Sequence, residues 1–160
     1  MAELDTNTLA DVECIRRTII LYSQLMDDMR FEEWADLFTE DAEFWSIPAH
    51  HLPGGQEIMK IVGRNRIVET IKGVEQKMIA QGGVIHFSAS PLIDIHGMTA
   101  KAWWDFIIVH AKPEGTELPF CGRYYSDFAK GVDGRWRFTR RISVRPGYPL
   151  PEGIVPTPPR

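Results

Sequence analysis

From Thr8 to Met29 the apolar residues Leu9, Val12, Ile15, Ile19, Leu21, Tyr22 and Leu25 recur at helical spacing, which predicts a first helix with Thr8 or Asp11 able to cap its start. Phe31, Trp34, Leu37 and Phe38 share one side of a second, short helix over Phe31–Phe38. Thr39-Glu40-Asp41 breaks that helix, Ala42–Ile47 reads as a strand, and Pro48 ends it. His50–Gln56 is an exposed loop and Glu57–Val62 a short edge strand. A third helix over Arg64–Gln81 turns Ile67, Ile71, Val74, Met78 and Ile79 to the core, and Gly82-Gly83 closes it where a left-handed cap is wanted.

Beyond Gly83 the pattern is β. Val84–Ile95 predicts one long strand, turned by His96-Gly97-Met98, and Thr99–Lys112 the next. Pro113–Leu118 is a loop, Pro119–Lys130 pairs back, Val132-Asp133-Gly134 makes a hairpin turn, and Arg135–Val144 is the last strand. Helices first and an antiparallel meander last predict an α+β fold, a strongly curved sheet wrapped by three helices with a pocket at its open end. One domain over residues 1–145 is followed by a tail, 146–160, whose six prolines bar both helix and central strand. The tail is read as an arm lying on the body or on a neighbouring subunit.

Composition narrows the function classes. The chain of 160 residues is 44% hydrophobic and 25% charged, with a net charge of −4, so it carries a core and lacks the basic balance that a nucleic-acid partner requires. Arg135, Arg137, Arg140, Arg141 and Arg145 form a local exception, but strand alternation splits them between two faces. Cys14 and Cys121 belong to no CxxC pair and read as free, buried thiols of a reducing compartment. His50-His51 has no third ligand nearby, so no metal is expected. No apolar stretch is long enough to span a bilayer, and the acidic start has no signal-peptide pattern. These features predict a soluble, cytoplasmic protein.

Five polar residues stand among apolar neighbours: Tyr22 and Asp27 at the end of the first helix, His86 and His110 in strands, and Arg145 at the end of the last strand. A carboxylate that accepts a hydrogen bond from one imidazole nitrogen fixes the tautomer and leaves the other nitrogen free to take a proton. Tyr22 can donate to a carbonyl or a departing oxygen, and Arg145 can hold an anionic or carbonyl group. Each has a plainer reading: His86 as a satisfied core histidine, Asp27 as a turn cap, Tyr22 as core, Arg145 as surface. Tyr22 and Asp27 lie about 140° apart on an ideal helix, so both reach one cavity only if the helix frays or the pocket is wide. Among the aromatics, Trp45, Trp104, Phe106 and Tyr125 are candidates for an apolar pocket wall, and alternation places Trp104, Phe106, Ile108 and His110 on one face.

Three segments together resemble a known family. Tyr22 and Asp27 are followed by Leu37-Phe38-Thr39-Glu40-Asp41-Ala42, Gly63-Arg64-Asn65-Arg66-Ile67 opens the third helix, and Gly122-Arg123-Tyr124 precedes Asp133-Gly134-Arg135-Trp136-Arg137-Phe138. Over roughly residues 10–145 this pattern resembles the SnoaL-like (polyketide-cyclase-like) branch of the nuclear-transport-factor-2-like superfamily, and within it the scytalone dehydratases and bile-acid 7α-dehydratases. The resemblance implies a cone-shaped α+β barrel and a cofactor-independent lyase. It would eliminate water or another β leaving group from a cyclic or polycyclic carbonyl compound. The resemblance puts the base on His86 with Asp27 behind it and Tyr22 as a third catalytic group, and gives Arg145 and His110 to the substrate. It also implies a homo-oligomer, a trimer before a dimer. Tyr125 or a neighbour stands where the scytalone dehydratases have Asn, and Ile108 stands near the position of an acidic residue of the bile-acid enzymes. Arg145 is out of phase with Trp136 and Phe138, so a bulge or the strand end has to turn it inward. An isomerase of the ketosteroid kind, a polyketide cyclase, and a non-catalytic assembly subunit are the alternatives.

Overall fold

The alternation between Thr99 and Val144 becomes three long antiparallel strands, β5 (Thr99–Lys112), β6 (Gly115–Lys130) and β7 (Trp136–Val144), in a computed structural model described over residues 6–50, 57–89 and 91–157. Before them come α1 (Thr6–Asp27), α2 (Phe31–Ala35), β1 (Phe38–Ile47), β2 (Met59–Val62), α3 (Arg64–Ile79), β3 (Gly83–Ser88) and β4 (Leu92–His96). All strands join one curved, unclosed sheet in the order β2-β1-β7-β6-β5-β3, with β4 also paired to β5. Only the β1–β7 pairing is parallel among the described strands. The helices cover the concave face, and Ile15, Ile19, Tyr22, Trp34, Phe38, Ile67, Phe128 and Phe138 are fully enclosed between the layers. No helix among the described residues is long and apolar enough to cross a membrane.

Several expected boundaries move, each for a local reason. Helix α2 stops at Ala35, and Phe38 through Asp41 already belong to β1, because the Leu37 carbonyl accepts from the Phe138 N–H and draws this stretch onto β7. The single strand expected over Val84–Ile95 is two. The first half ends at Ser88 and the second begins at Leu92, and both pair with β5, β3 on Phe106–Ala111 and β4 on Thr99–Trp103. The expected loop at Pro113–Leu118 shrinks to a Pro113-Glu114 turn, with Gly115–Leu118 in β6. Gly82 is no left-handed cap: at φ +156° its missing Cβ would lie 1.9 Å from the Ala111 carbonyl oxygen, so close approach to β5 is what requires glycine there. Both cysteines are free, as expected, but exposed, Cys14 on the solvent side of α1 and Cys121 on the convex side of β6. Of the loop expected over residues 50–56, all but His50 lies outside the described residues.

The tail crosses the convex side of its own sheet. Ile154 packs with Ile47, Ile142 and Val144, and the Trp103 indole N–H donates to the Val155 carbonyl at 3.1 Å. Nearby, β6 and β7 approach closely at Gly122, where an added Cβ would sit 2.3 Å from the Val144 carbonyl oxygen and 3.1 Å from the Phe106 ring. Gly122→Ala should therefore destabilise the protein by about 1–3 kcal/mol, as overpacking does. Urea unfolding measures it, and a change below a few tenths of that would show that the strands part at no cost.

Candidate active site

The helix α1 delivers its chemistry to β3 through matched spacing. Ser23 and Asp27 are one helical turn apart, a rise of about 6 Å. Ser88 and His86 are two strand residues apart, roughly 6.6 Å. The two rungs therefore meet: Ser23 Oγ lies 3.0 Å from Ser88 Oγ, and Asp27 Oδ1 lies 2.6 Å from His86 Nδ1. The His86 main-chain N–H also donates to the same carboxylate, 3.0 Å from Oδ2. A carboxylate that already takes this donor accepts from Nδ1–H as well, which assigns the proton to Nδ1 and leaves the Nε2 lone pair free.

His86 lines a partly open cavity with about 60 Å³ of room for water, together with Tyr22, Met26, Phe44, Ile71, Glu75, Phe106, Tyr124, Arg141 and Arg145. Asp27 is not among the lining residues; its carboxylate sits behind the ring. This resolves the 140° between Tyr22 and Asp27, since only Tyr22 faces the cavity and no fraying is needed. Tyr22 is enclosed by Trp34, Phe38, Tyr124 and Phe138. Burial pushes its phenol well above the ordinary value, the Arg141 charge only partly opposing, so its O–H remains a donor.

Arg145 reaches the cavity through a bulge. Phe128 pairs with Phe138 and Asp127 with Arg140, so Thr139 is an extra residue in β7. The one-residue shift reverses the alternation. Trp136 and Phe138 face inward before it, and Arg141, Ser143 and Arg145 after it. Arg145 then donates to the Pro119 carbonyl, lies 4.8 Å from the Phe120 ring, and lines the cavity with it.

Four of the expected wall residues lie elsewhere. His110 is buried but holds the end of α3, its Nε2 donating to the Met78 carbonyl at 2.9 Å, and does not line the cavity. Trp104 faces the same side as Phe106 but sits deeper, against Tyr124 and Phe138, outside the cavity lining. Trp45 and Tyr125 are on the convex side with Ile47 and Ile142, because strand alternation turns them away from Phe44 and Tyr124. Phe106 is placed as expected, stacked on Tyr124 at 3.9 Å.

Two ionisable groups in the cavity escape the sequence reading. Arg141 is 3% exposed and lies over Tyr124, Phe44 and Tyr22, with its guanidinium carbon 3.8, 4.5 and 4.6 Å from the ring centroids. Alternation without the bulge assigns it to the wrong face. Glu75 is 5% exposed, with Oε1 3.7 Å from His86 Nε2 and Oε2 buried without a hydrogen-bond partner. The available signal was its place four residues after Ile71 and eight after Ile67, an acid on the core stripe of α3. Burial raises its carboxyl above the ordinary value, with His86 and Arg141 opposing. The folded chain thus holds the Glu75 proton at pH values where the unfolded chain has lost it. Stability should fall as pH climbs from the ordinary carboxyl range through the raised one, and Glu75→Gln should lack that fall. Urea midpoints across pH measure this; parallel curves for the two proteins would contradict it.

The model of the SnoaL-like domain matches residues 7–142. Among curated proteins, none matches the chain. Solved structures that resemble it include a nuclear-transport-factor-2-like protein with a cystatin-like fold from Novosphingobium aromaticivorans, 23% identical over 91% of this chain and 93% of that one, with a TM-score of 0.74. A candidate scytalone dehydratase from the same organism is 24% identical over 89% and 97%, with a TM-score of 0.66. The beta subunit of a candidate aromatic-ring-hydroxylating dioxygenase, again from that organism, is 18% identical over 89% and 94%, with a TM-score of 0.70. At these identities the neighbours attest the fold, and the family match carries membership: this chain belongs to the SnoaL-like domain family, within the nuclear-transport-factor-2-like superfamily.

Proposed function

We propose that the protein is a cofactor-independent lyase that eliminates water or another β leaving group from a cyclic carbonyl compound. The observation that carries this reading is the 2.6 Å contact between Asp27 and His86 Nδ1 behind a cavity wall that His86 itself forms. In this reading His86 Nε2 takes a proton from the carbon next to the substrate carbonyl, and Asp27 stabilises the imidazolium that results. Tyr22 donates to the carbonyl oxygen as negative charge develops there. Phe44, Ile71 and Phe106 offer apolar walls to a ring system, and Arg145 offers a cation to its polar end. The likeness to a candidate scytalone dehydratase agrees with this chemistry.

The likeness to a dioxygenase beta subunit favours a second reading, a non-catalytic assembly unit. In that reading the imidazole oriented by a carboxylate only ties α1 to β3, and its free Nε2 at the cavity goes unused. Product analysis on a panel of cyclic β-hydroxy ketones separates the possibilities: loss of water supports the lyase, unchanged mass an isomerase, and no turnover the assembly unit. Asp27→Asn should lower kcat on an active substrate by about 100-fold, because an amide can hold the ring in the wrong tautomer and cannot stabilise its cation. A kcat within a few-fold of wild type would remove Asp27 from the mechanism.

A further inference from the structure

Elimination of water requires two proton transfers, one off carbon and one onto the departing oxygen. The His86–Asp27 pair accounts for the first. Glu75 lines the same cavity from α3, with Oε1 3.7 Å from His86 Nε2 and Oε2 buried without a partner. A buried polar atom without a partner is costly, and a substrate hydroxyl would satisfy it. Asp27 and Tyr22 act on Glu75 from α1, His86 from β3, His110 from β5, Tyr124 from β6 and Arg141 from β7. The net effect of burial against these charges keeps its carboxyl protonated above the ordinary range.

Resting on the elimination reading, we propose that Glu75 is the acid of the site: it protonates the leaving oxygen and then recovers its proton from His86. The steps balance. His86 Nε2 takes the α-proton, and the C–H pair becomes the new C=C bond. The C–O bond breaks with its pair on oxygen, which takes the Glu75 proton and leaves as water. Imidazolium and carboxylate then face each other across the 3.7 Å between Nε2 and Oε1. Attraction between the two charges closes this gap to hydrogen-bond distance, the proton crosses from one to the other, and both groups return to their starting state without a proton from solvent.

Two measurements test this. Infrared difference spectra of wild type against Glu75→Gln at neutral pH should show a protonated-carboxyl C=O band present only in wild type. Without that band, Glu75 is no acid at working pH and the proposal falls. The second compares elimination from a cyclic β-hydroxy ketone with elimination from its β-chloro counterpart, spontaneous loss subtracted. Chloride departs without a proton, so Glu75→Gln should lose about 100-fold or more in kcat on the hydroxy compound and stay within about threefold on the chloro compound. Equal losses on both would make Glu75 a structural or positioning residue, and no loss on either would make it a bystander; both results overturn the proposal. A wild type inert on both compounds would overturn the elimination reading and the donor role with it, while the infrared band would still report whether Glu75 is a neutral acid.

Discussion

Replacing His86 by alanine is expected to lower kcat on any β-hydroxy carbonyl substrate by about 100-fold to 10,000-fold, the range over which a positioned general base contributes. The residue is 9% exposed at the junction of α1, α3 and β3, so truncation also removes packing, and the loss has to be separated from damage to the fold. Asp27 retains the His86 main-chain N–H as a donor in the variant, because that bond does not involve the ring. The α1–β3 contact through Ser23 and Ser88 also persists. A cooperative unfolding transition with a nearly unchanged denaturant slope should accompany the lost activity. Added imidazole, small enough for the space left by the ring, should restore part of the rate. Activity within about tenfold of wild type would assign the base elsewhere.

Trp34→Ala should produce the largest change in stability, about 3–5 kcal/mol. The indole is 0% exposed, lies 4.8 Å from the Phe38 ring and 5.4 Å from the Tyr22 ring, and donates to the Tyr22 carbonyl at 3.1 Å. It is therefore the pin between α2 and the half of α1 that carries both Tyr22 and Asp27. The cavity left by the indole cannot close without moving α1. For a domain of this length the loss corresponds to a fall of roughly 10 °C in Tm. Differential scanning calorimetry measures it. A fall below about 2 °C would mean that α2 contributes little to holding the first helix.

The fold was legible in the sequence because its signals are periodic. The stripe from Val12 to Leu25, the alternation in Thr99–Lys112 and the Asp133-Gly134 turn each state one element, and the structure contains all three. The misread boundaries lie where tertiary contacts decide. Phe38 fits a short helix by spacing but is held on β7, and the Leu92–Ile95 alternation continues that of β3 although β3 ends at Ser88 and β4 begins at Leu92. Asp27 and His86 each stood out as a polar residue in apolar surroundings, but the family resemblance paired them; the match of one helical turn to two strand residues lies in tertiary packing that the sequence does not state. Arg141 and Glu75 were hidden for opposite reasons. A one-residue bulge at Thr139, invisible to alternation, brings Arg141 inward, and Glu75 was passed over for its neighbour Val74 on the apolar stripe. The same bulge supplies the phase change that Arg145 required. His110 shows the reverse error: a buried histidine beside the cavity can be spent on a helix-end carbonyl.

The central claim is that His86, oriented by Asp27, removes a proton from carbon, and exchange with solvent reads this step without any leaving group. Cyclic ketones incubated with the protein in D2O should incorporate deuterium next to the carbonyl, followed by proton NMR, faster than buffer alone and faster than with His86→Ala. Exchange at the same rate with wild type and His86→Ala would contradict the account.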